Sequence, residues 1–187
     1  MKKTIALIII LATLLAFACS CAKEPNEVTY REEGLEFTLP VSMRATYSDT
    51  YDIYFSNPEA IFAAKKLTPS FLTDSNIDPN VSAEEYVDIH LERNGFSKSE
   101  QIFYEADRER GAYSFRYTYT ESEDVEMFYY VLVLGEPRSL WYVDMCCYYE
   151  DSATYSETFG IWARTVKTYT VETETMRLWR NELPLRA

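Results

Sequence analysis

The sequence predicts an α+β domain in which an antiparallel sheet is covered by helices on both faces. Three observations carry this. Late in the chain three extended segments follow one another with turn residues between them, "AYSFRYTYT" (Ala112 to Thr120), "VEMFYYVLVLG" and "LWYVDMCCYY". The last two are apolar at successive positions, which is how strands buried on both sides read. Two other segments, beginning near Ser82 and Thr154, carry apolar residues at helical spacing behind capping signals.

The elements follow in order. "GLEFTLPVSM" (Gly34 to Met43) opens with an extended segment that ends at Pro40. "YDIYFSNPEAIFAAKKL" holds two apolar runs around the turn residues Ser56, Asn57 and Pro58, so it predicts a hairpin. "TPSFLTDSNIDPN" reads as a loop. In "VSAEEYVDIHLERNG", Ser82 and Glu85 form a capping box, Val81 and Tyr86 a hydrophobic staple, and Gly95 stands at the stop. After the three strands, Thr154 and Glu157 predict a second capping box, and Tyr155, Phe159, Trp162, Val166 and Tyr169 form the apolar stripe of a closing helix. The tail, residues 171–187, predicts a third short helix with Met176 and Trp179 facing inward.

The first residues form a targeting segment. Lys2 and Lys3 precede an uncharged apolar run from Ile5 to Ala18. A membrane span needs about 20 apolar residues, so this run fits a secretory signal better. At its end "AFAC" and "ACSC" each put small residues three places and one place before a cysteine. This resembles the lipobox of bacterial lipoproteins, cut before a cysteine whose thiol has been diacylated. Ala18 before Cys19 is a smaller, better-fitting neighbour than Ser20 before Cys21, so Cys19 is the preferred lipid attachment and Cys21 the alternative. The other reading is a plain secretory cleavage that yields a free protein.

The resulting organisation is a signal over residues 1–18, a lipidated tether over 19–27, one domain over 28–170, and the tail. The partner implied is the membrane itself, through an N-terminal diacylglyceryl cysteine. The expected location is extracytoplasmic, on the outer membrane in a diderm organism, because neither Ser20 nor Ala22 is the aspartate that retains lipoproteins at the inner membrane.

Charge excludes one class of function. Losing Lys2 and Lys3 with the signal leaves 16 basic residues against 30 acidic ones, a formal charge of −14. Such a body is repelled by nucleic acid and by anionic headgroups. Hydrophobic residues at 47% and aromatics at 16% supply a core and argue against disorder.

The order of elements, with "FTLP", the "SAEEYVDIHL" helix after a polar loop and the final aromatic helix, resembles the PsbP-like family over about Val28 to Tyr169. The resemblance implies an α/β/α sandwich and an accessory or binding protein, and it carries no catalytic residue over.

The residues themselves point the same way. His90 is the one histidine and lies on the apolar side of its helix with Tyr86, Val87 and Leu91, a place for a core residue more than for a ligand. No zinc site or histidine-dependent triad assembles around it. Cys146 and Cys147 are strand neighbours whose side chains point to opposite faces, which favours two buried thiols over a vicinal disulfide. "ESEDVE" lacks the glycine and ligand spacing of a calcium loop. No metal and no cofactor are expected.

One constellation has the makings of a binding site. If Glu121 to Asp124 is a four-residue turn and Tyr129 pairs with Asp144 across the turn at Glu136 to Ser139, Arg116, Tyr129 and Asp144 face one another across three strands, with Tyr142 beside them. That row suits a small polar ligand or a side chain of an envelope protein. The competing reading is a structural charge pair bridged by a tyrosine. Two functions follow, a membrane-anchored non-catalytic binding or accessory protein of the envelope, or a hydrolase using carboxylates such as Asp144 and Glu150. The second requires two carboxyls converging in a cleft, about 5–9.5 Å apart for glycosidic chemistry.

Overall fold

The computed structural model describes residues 26–96, 103–122 and 125–170. The signal, Cys19, Cys21 and the expected tail helix lie outside these residues. A seven-stranded antiparallel sheet runs in the order β3-β4-β5-β9-β8-β7-β6. Its strands are β3 (Arg44–Ala45), β4 (Ile53–Ser56), β5 (Ala60–Leu67), β6 (Phe103–Asp107), β7 (Ala112–Ser122), β8 (Val125–Glu136) and β9 (Ser139–Tyr148). A second sheet joins β1 (Glu27–Glu32), β2 (Leu35–Pro40) and β10 (Lys167–Thr168). Among the described residues three helices complete the fold, α1 (Pro69–Asp74), α2 (Ala83–Arg93) and α3 (Ser152–Thr165).

The large sheet is covered on both faces, as its doubly apolar strands require. On one face α3 sets Phe159 and Trp162 against Phe128, Tyr130 and Val143, and the small sheet adds Leu35, Phe37 and Leu39. On the other face Leu72 of α1 and Tyr86, Val87 and Leu91 of α2 pack on Phe115, Val131, Val133 and Leu140. The α2 ends form as their sequence dictates. Ser82 Oγ accepts from Glu85 N, Glu85 Oε2 accepts from Ser82 N, and these bonds hold the Glu85 carboxyl below its usual range. At the other end Gly95 takes φ +72°, and the N–H groups of Gly95 and Phe96 reach back to Glu92 and Leu91, a Schellman stop.

Four features depart from the sequence reading. The segment read as a loop after Leu67 contains α1, which starts with Thr68 Oγ1 accepting from Phe71 N and with Pro69 in its first turn. That Thr-Pro pair is a helix-start signal hidden by the shortness of the helix. The N-terminal extended segment is half of a hairpin closed by Glu33 and Gly34, both with positive φ. This is the primed turn that matches strand twist, but built on Glu-Gly instead of the usual Asn-Gly. The Thr154–Glu157 capping box does not form, because a 3-10 turn over Tyr149–Asp151 feeds the chain into α3 at Ser152 and leaves Thr154 inside the helix. Val166 and Tyr169 continue the apolar stripe only after α3 has ended, and Tyr169 N bonds Gly34 O as the chain joins the small sheet.

Candidate functional site

Pairing register decides which side chains meet. β8 and β9 are joined through Pro137 and Arg138 alone, with Glu136 opposite Ser139, so Asp144 faces Val131 and Tyr129 faces Cys146. In β7 and β8, Ser122 pairs with Val125, and an irregularity between Thr120 and Ser122 puts one extra residue on β7. Arg116 therefore lies opposite Tyr130, not Tyr129. A one-residue slip sends every side chain to the other face.

The expected row of Arg116, Tyr129 and Asp144 is thus split. Arg116 is on the α3 face, where Nη1 donates to Ser156 Oγ at 3.1 Å, Nη2 meets Glu105 Oε1 at 3.2 Å, and the guanidinium lies 5.5 Å from the Tyr130 ring centre. Tyr129, Asp144 and Tyr142 stay together on the α2 face. Tyr142 is the member that α2 covers, with its ring 5.3 Å from His90 and 6.4 Å from Tyr86. Tyr129 and Asp144 lie where that cover ends.

At that end the face forms a concavity of about 370 Å³ whose lining includes Tyr51, Tyr54, Tyr129, Tyr148, Cys146 and Asp144. Asp144 is only 8% exposed. Its Oδ2 accepts a hydrogen bond from Tyr51 Oη at 3.1 Å. Tyr51 reaches it from the loop after β3, which is fixed at both ends. Ser48 Oγ accepts from the N–H groups of Thr50 and Tyr51, and Asp52 Oδ2 accepts from Lys66 N. Beside the carboxylate, Tyr129 stacks on Tyr117 with centroids 4.9 Å apart and planes 7° from parallel, and Phe96 packs on Tyr117 at 4.7 Å with its ring tilted by 42°. Tyr51 and Tyr54 were outside the sequence reading. No local pattern marks a loop tyrosine as the partner of a carboxylate 93 residues away.

The electrostatics suit recognition more than proton transfer. Burial, then the charge of Asp144, pushes the Tyr51 hydroxyl far above its ordinary range, and the same two causes raise Tyr142. Both stay protonated near neutrality, and Tyr51 donates its proton to Asp144 in a hydrogen bond. Burial pushes Cys147, on the α3 face, up to about 12, so it is a packed thiol and not a nucleophile. Cys146 and Cys147 are both buried thiols with no disulfide between them. Among the described residues no group of three or more His, Cys, Asp or Glu side chains is placed to hold a metal ion. Glu150 sits in the 3-10 turn after β9, on the exposed surface and outside the lining of the Asp144 concavity.

His90 is packed among the rings of Tyr142, Phe115 and Tyr86, and its Nε2 has no hydrogen-bond partner among the described residues. Burial lowers its pKa below 6.5. The unfolded chain therefore binds this proton more readily than the folded one. The stability that neutral His90 contributes is complete above the unfolded pKa and is lost as pH falls through the folded pKa. Melting temperatures taken from about pH 7 downward should show this loss, and His90→Phe should flatten it. An unchanged pH slope in the variant would assign the effect to other groups.

No protein-family model matches the chain, nor does any curated protein sequence. Solved structures do. The chain is similar to the cyanobacterial PsbP protein CyanoP of Synechocystis sp. PCC 6803, with 18% identity and a TM-score of 0.56 over 81% of this chain and 97% of that one. It is also similar to the Ran-binding protein Mog1p of Saccharomyces cerevisiae, with 10% identity and a TM-score of 0.49 over 76% and 94% of the two chains. LpqN of Mycobacterium tuberculosis, a protein involved in cell envelope biogenesis, matches at 10% identity with a TM-score of 0.40 over 77% and 91%. At these identities the likeness is one of fold, and the domain has the PsbP-like fold.

Proposed function

We propose that this protein is a membrane-anchored extracytoplasmic lipoprotein that acts as a non-catalytic binding or accessory protein of the cell envelope, and that its contact site is the concavity around Asp144. The observation that carries the reading is the make-up of that concavity, in which one carboxylate, hydrogen-bonded by a Tyr51 hydroxyl that burial holds protonated, lies among further tyrosine side chains. Two converging carboxyls, or a base beside a nucleophile, would have favoured hydrolysis. The cysteines at the end of the signal supply the anchor, and the PsbP-like domain supports a role in binding.

The test compares capture of envelope proteins from detergent-solubilised membranes by the wild type, Tyr129→Ala, Asp144→Asn and Arg116→Ala. The first two substitutions should abolish recovery of any partner that the wild type retains. Arg116→Ala, on the opposite face, should leave recovery unchanged. Equal recovery by all four proteins would remove the concavity as the site.

A further inference from the structure

The chemistry of the same concavity narrows what enters it. We infer that it takes an organic cation, the guanidinium or ammonium group of an arginine or lysine side chain on a partner polypeptide. This rests on the binding reading above and adds the charge of the ligand.

Three observations carry the inference. First, the concavity ends on a carboxylate that is 8% exposed, and the Tyr51 hydroxyl already donated to Oδ2 fixes its orientation. A desolvated carboxylate interacts with a fixed cation more strongly than one in bulk water, because the local dielectric is low. Second, tyrosine rings line the space beside it, together with Ile61, Ala63, Val125 and Met127. Tyr129 stands in its near-parallel stack, and the rings of Tyr51 and Tyr54 lie 6.3 Å apart with their planes tilted by 44°. A cation over such faces is attracted by the ring quadrupole, most strongly where water is excluded. The domain already uses this contact on the same sheet face, where Lys65 Nζ lies 4.4 Å from the Phe71 ring centre. Third, the processed chain carries a formal charge of −14, which steers cations toward it and anions away.

A side chain on a polypeptide suits the surroundings better than a free small cation. Tyr148 lines the pocket and shares one row across β7, β8 and β9 with Tyr119, and the two are 49% and 54% exposed. Those rings offer flat apolar area beside the pocket. A free ammonium ion would leave that area unused, whereas the backbone and neighbours of a docked arginine would cover it.

The experiment uses two fluorescently labelled peptides and the full-length protein in non-ionic detergent. The peptides are Gly-Arg-Gly and its citrulline counterpart, which has nearly the same shape without the charge. The arginine peptide should bind at least about tenfold more tightly than the citrulline peptide. Asp144→Asn, which keeps an acceptor for Tyr51, should bring the arginine peptide down to the citrulline level. Tyr129→Leu should weaken the arginine peptide more than the citrulline one, and it keeps the test open if Asp144→Asn folds poorly. Arg116→Ala should change neither. Equal binding of the two peptides, full arginine binding by Asp144→Asn, or no binding by folded protein at millimolar peptide would each overturn the inference. Methylguanidinium binding as tightly as the arginine peptide would overturn the assignment to a polypeptide.

Failure here is separable from failure of the proposed function. If partner capture depends on Tyr129 and Asp144 while the peptides do not discriminate charge, the contact site stands and only its cationic ligand falls. If capture is also unaffected, both fall.

Discussion

Phe37→Ala is expected to lower the free energy of unfolding by about 3–5 kcal/mol, a large part of what a domain of this size possesses. Phe37 is fully buried in β2 and joins the small sheet to the large one. Its ring stacks on Phe62 at 4.7 Å, meets Phe55 edge-on at 5.5 Å and lies 5.6 Å from Tyr30. Truncation to alanine removes three ring contacts together and leaves a cavity between two rigid sheets. Neither sheet can collapse into it without breaking its own hydrogen-bond ladder, which places the cost toward the upper end for a buried aromatic. The neighbouring position supplies the control. Glu36 points to the outer face of the same strand and pairs with the exposed Arg31, so Glu36→Ala should cost no more than about 1 kcal/mol. Urea unfolding of both variants reads the contrast. A loss below about 1 kcal/mol for Phe37→Ala would mean that the small sheet is not part of the cooperative unit.

What the sequence shows and what it conceals divide along a physical line. Elements whose signal is local and complete were legible. The α2 helix carries its capping box, stripe and glycine stop within fifteen residues, and β8 and β9 are apolar on both faces because both faces are covered. The hairpin of β4 and β5 announces itself through Asn57, whose Oδ1 accepts from the N–H groups of Glu59 and Ala60. Short elements were hidden because their signals are one residue deep, as with Thr68 before α1 or Gly34 between β1 and β2.

The candidate site failed at a single residue. The connection through Pro137 and Arg138 moves β9 by two positions relative to the expected Tyr129–Asp144 pairing and so keeps both side chains on one face. Without the irregularity at Thr120 and Ser122, the Ser122–Val125 pairing would set Arg116 opposite Val131, in the same row as Asp144. One inserted residue turns β7 over and sends the arginine to Ser156 and Glu105. Turn chemistry near "ESED" does not encode such an insertion, because it is stabilised by the packing of both faces after the strands have paired. The carboxylate and its neighbouring tyrosine survived the error since their spacing depends on β8 and β9 alone.

Substitution of both Cys19 and Cys21 by serine is expected to abolish lipid attachment altogether, the largest change in behaviour that any pair of residues in this chain should produce. Two acyl chains hold a protein on a bilayer because each buried methylene contributes about 0.8 kcal/mol, so that one chain is marginal and two are stable. A body with a formal charge of −14 adds no attraction to anionic headgroups that could substitute for them. The wild type should therefore remain in the membrane fraction through high-salt washing, and mass spectrometry of its N-terminal peptide should find a diacylglyceryl group on Cys19. Cys21→Ser should leave this peptide unchanged. Cys19→Ser should transfer cleavage and lipid to Cys21, with slower processing, because Ser20 is a poorer neighbour than Ala18. The double variant should keep Met1 as its N-terminus. An unlipidated wild type released to the medium would sink the anchor. With β1 beginning at Glu27, the tether from Cys19 spans on the order of 30 Å at full extension, so an anchored domain would work close to the lipid surface, where partners of the envelope are met.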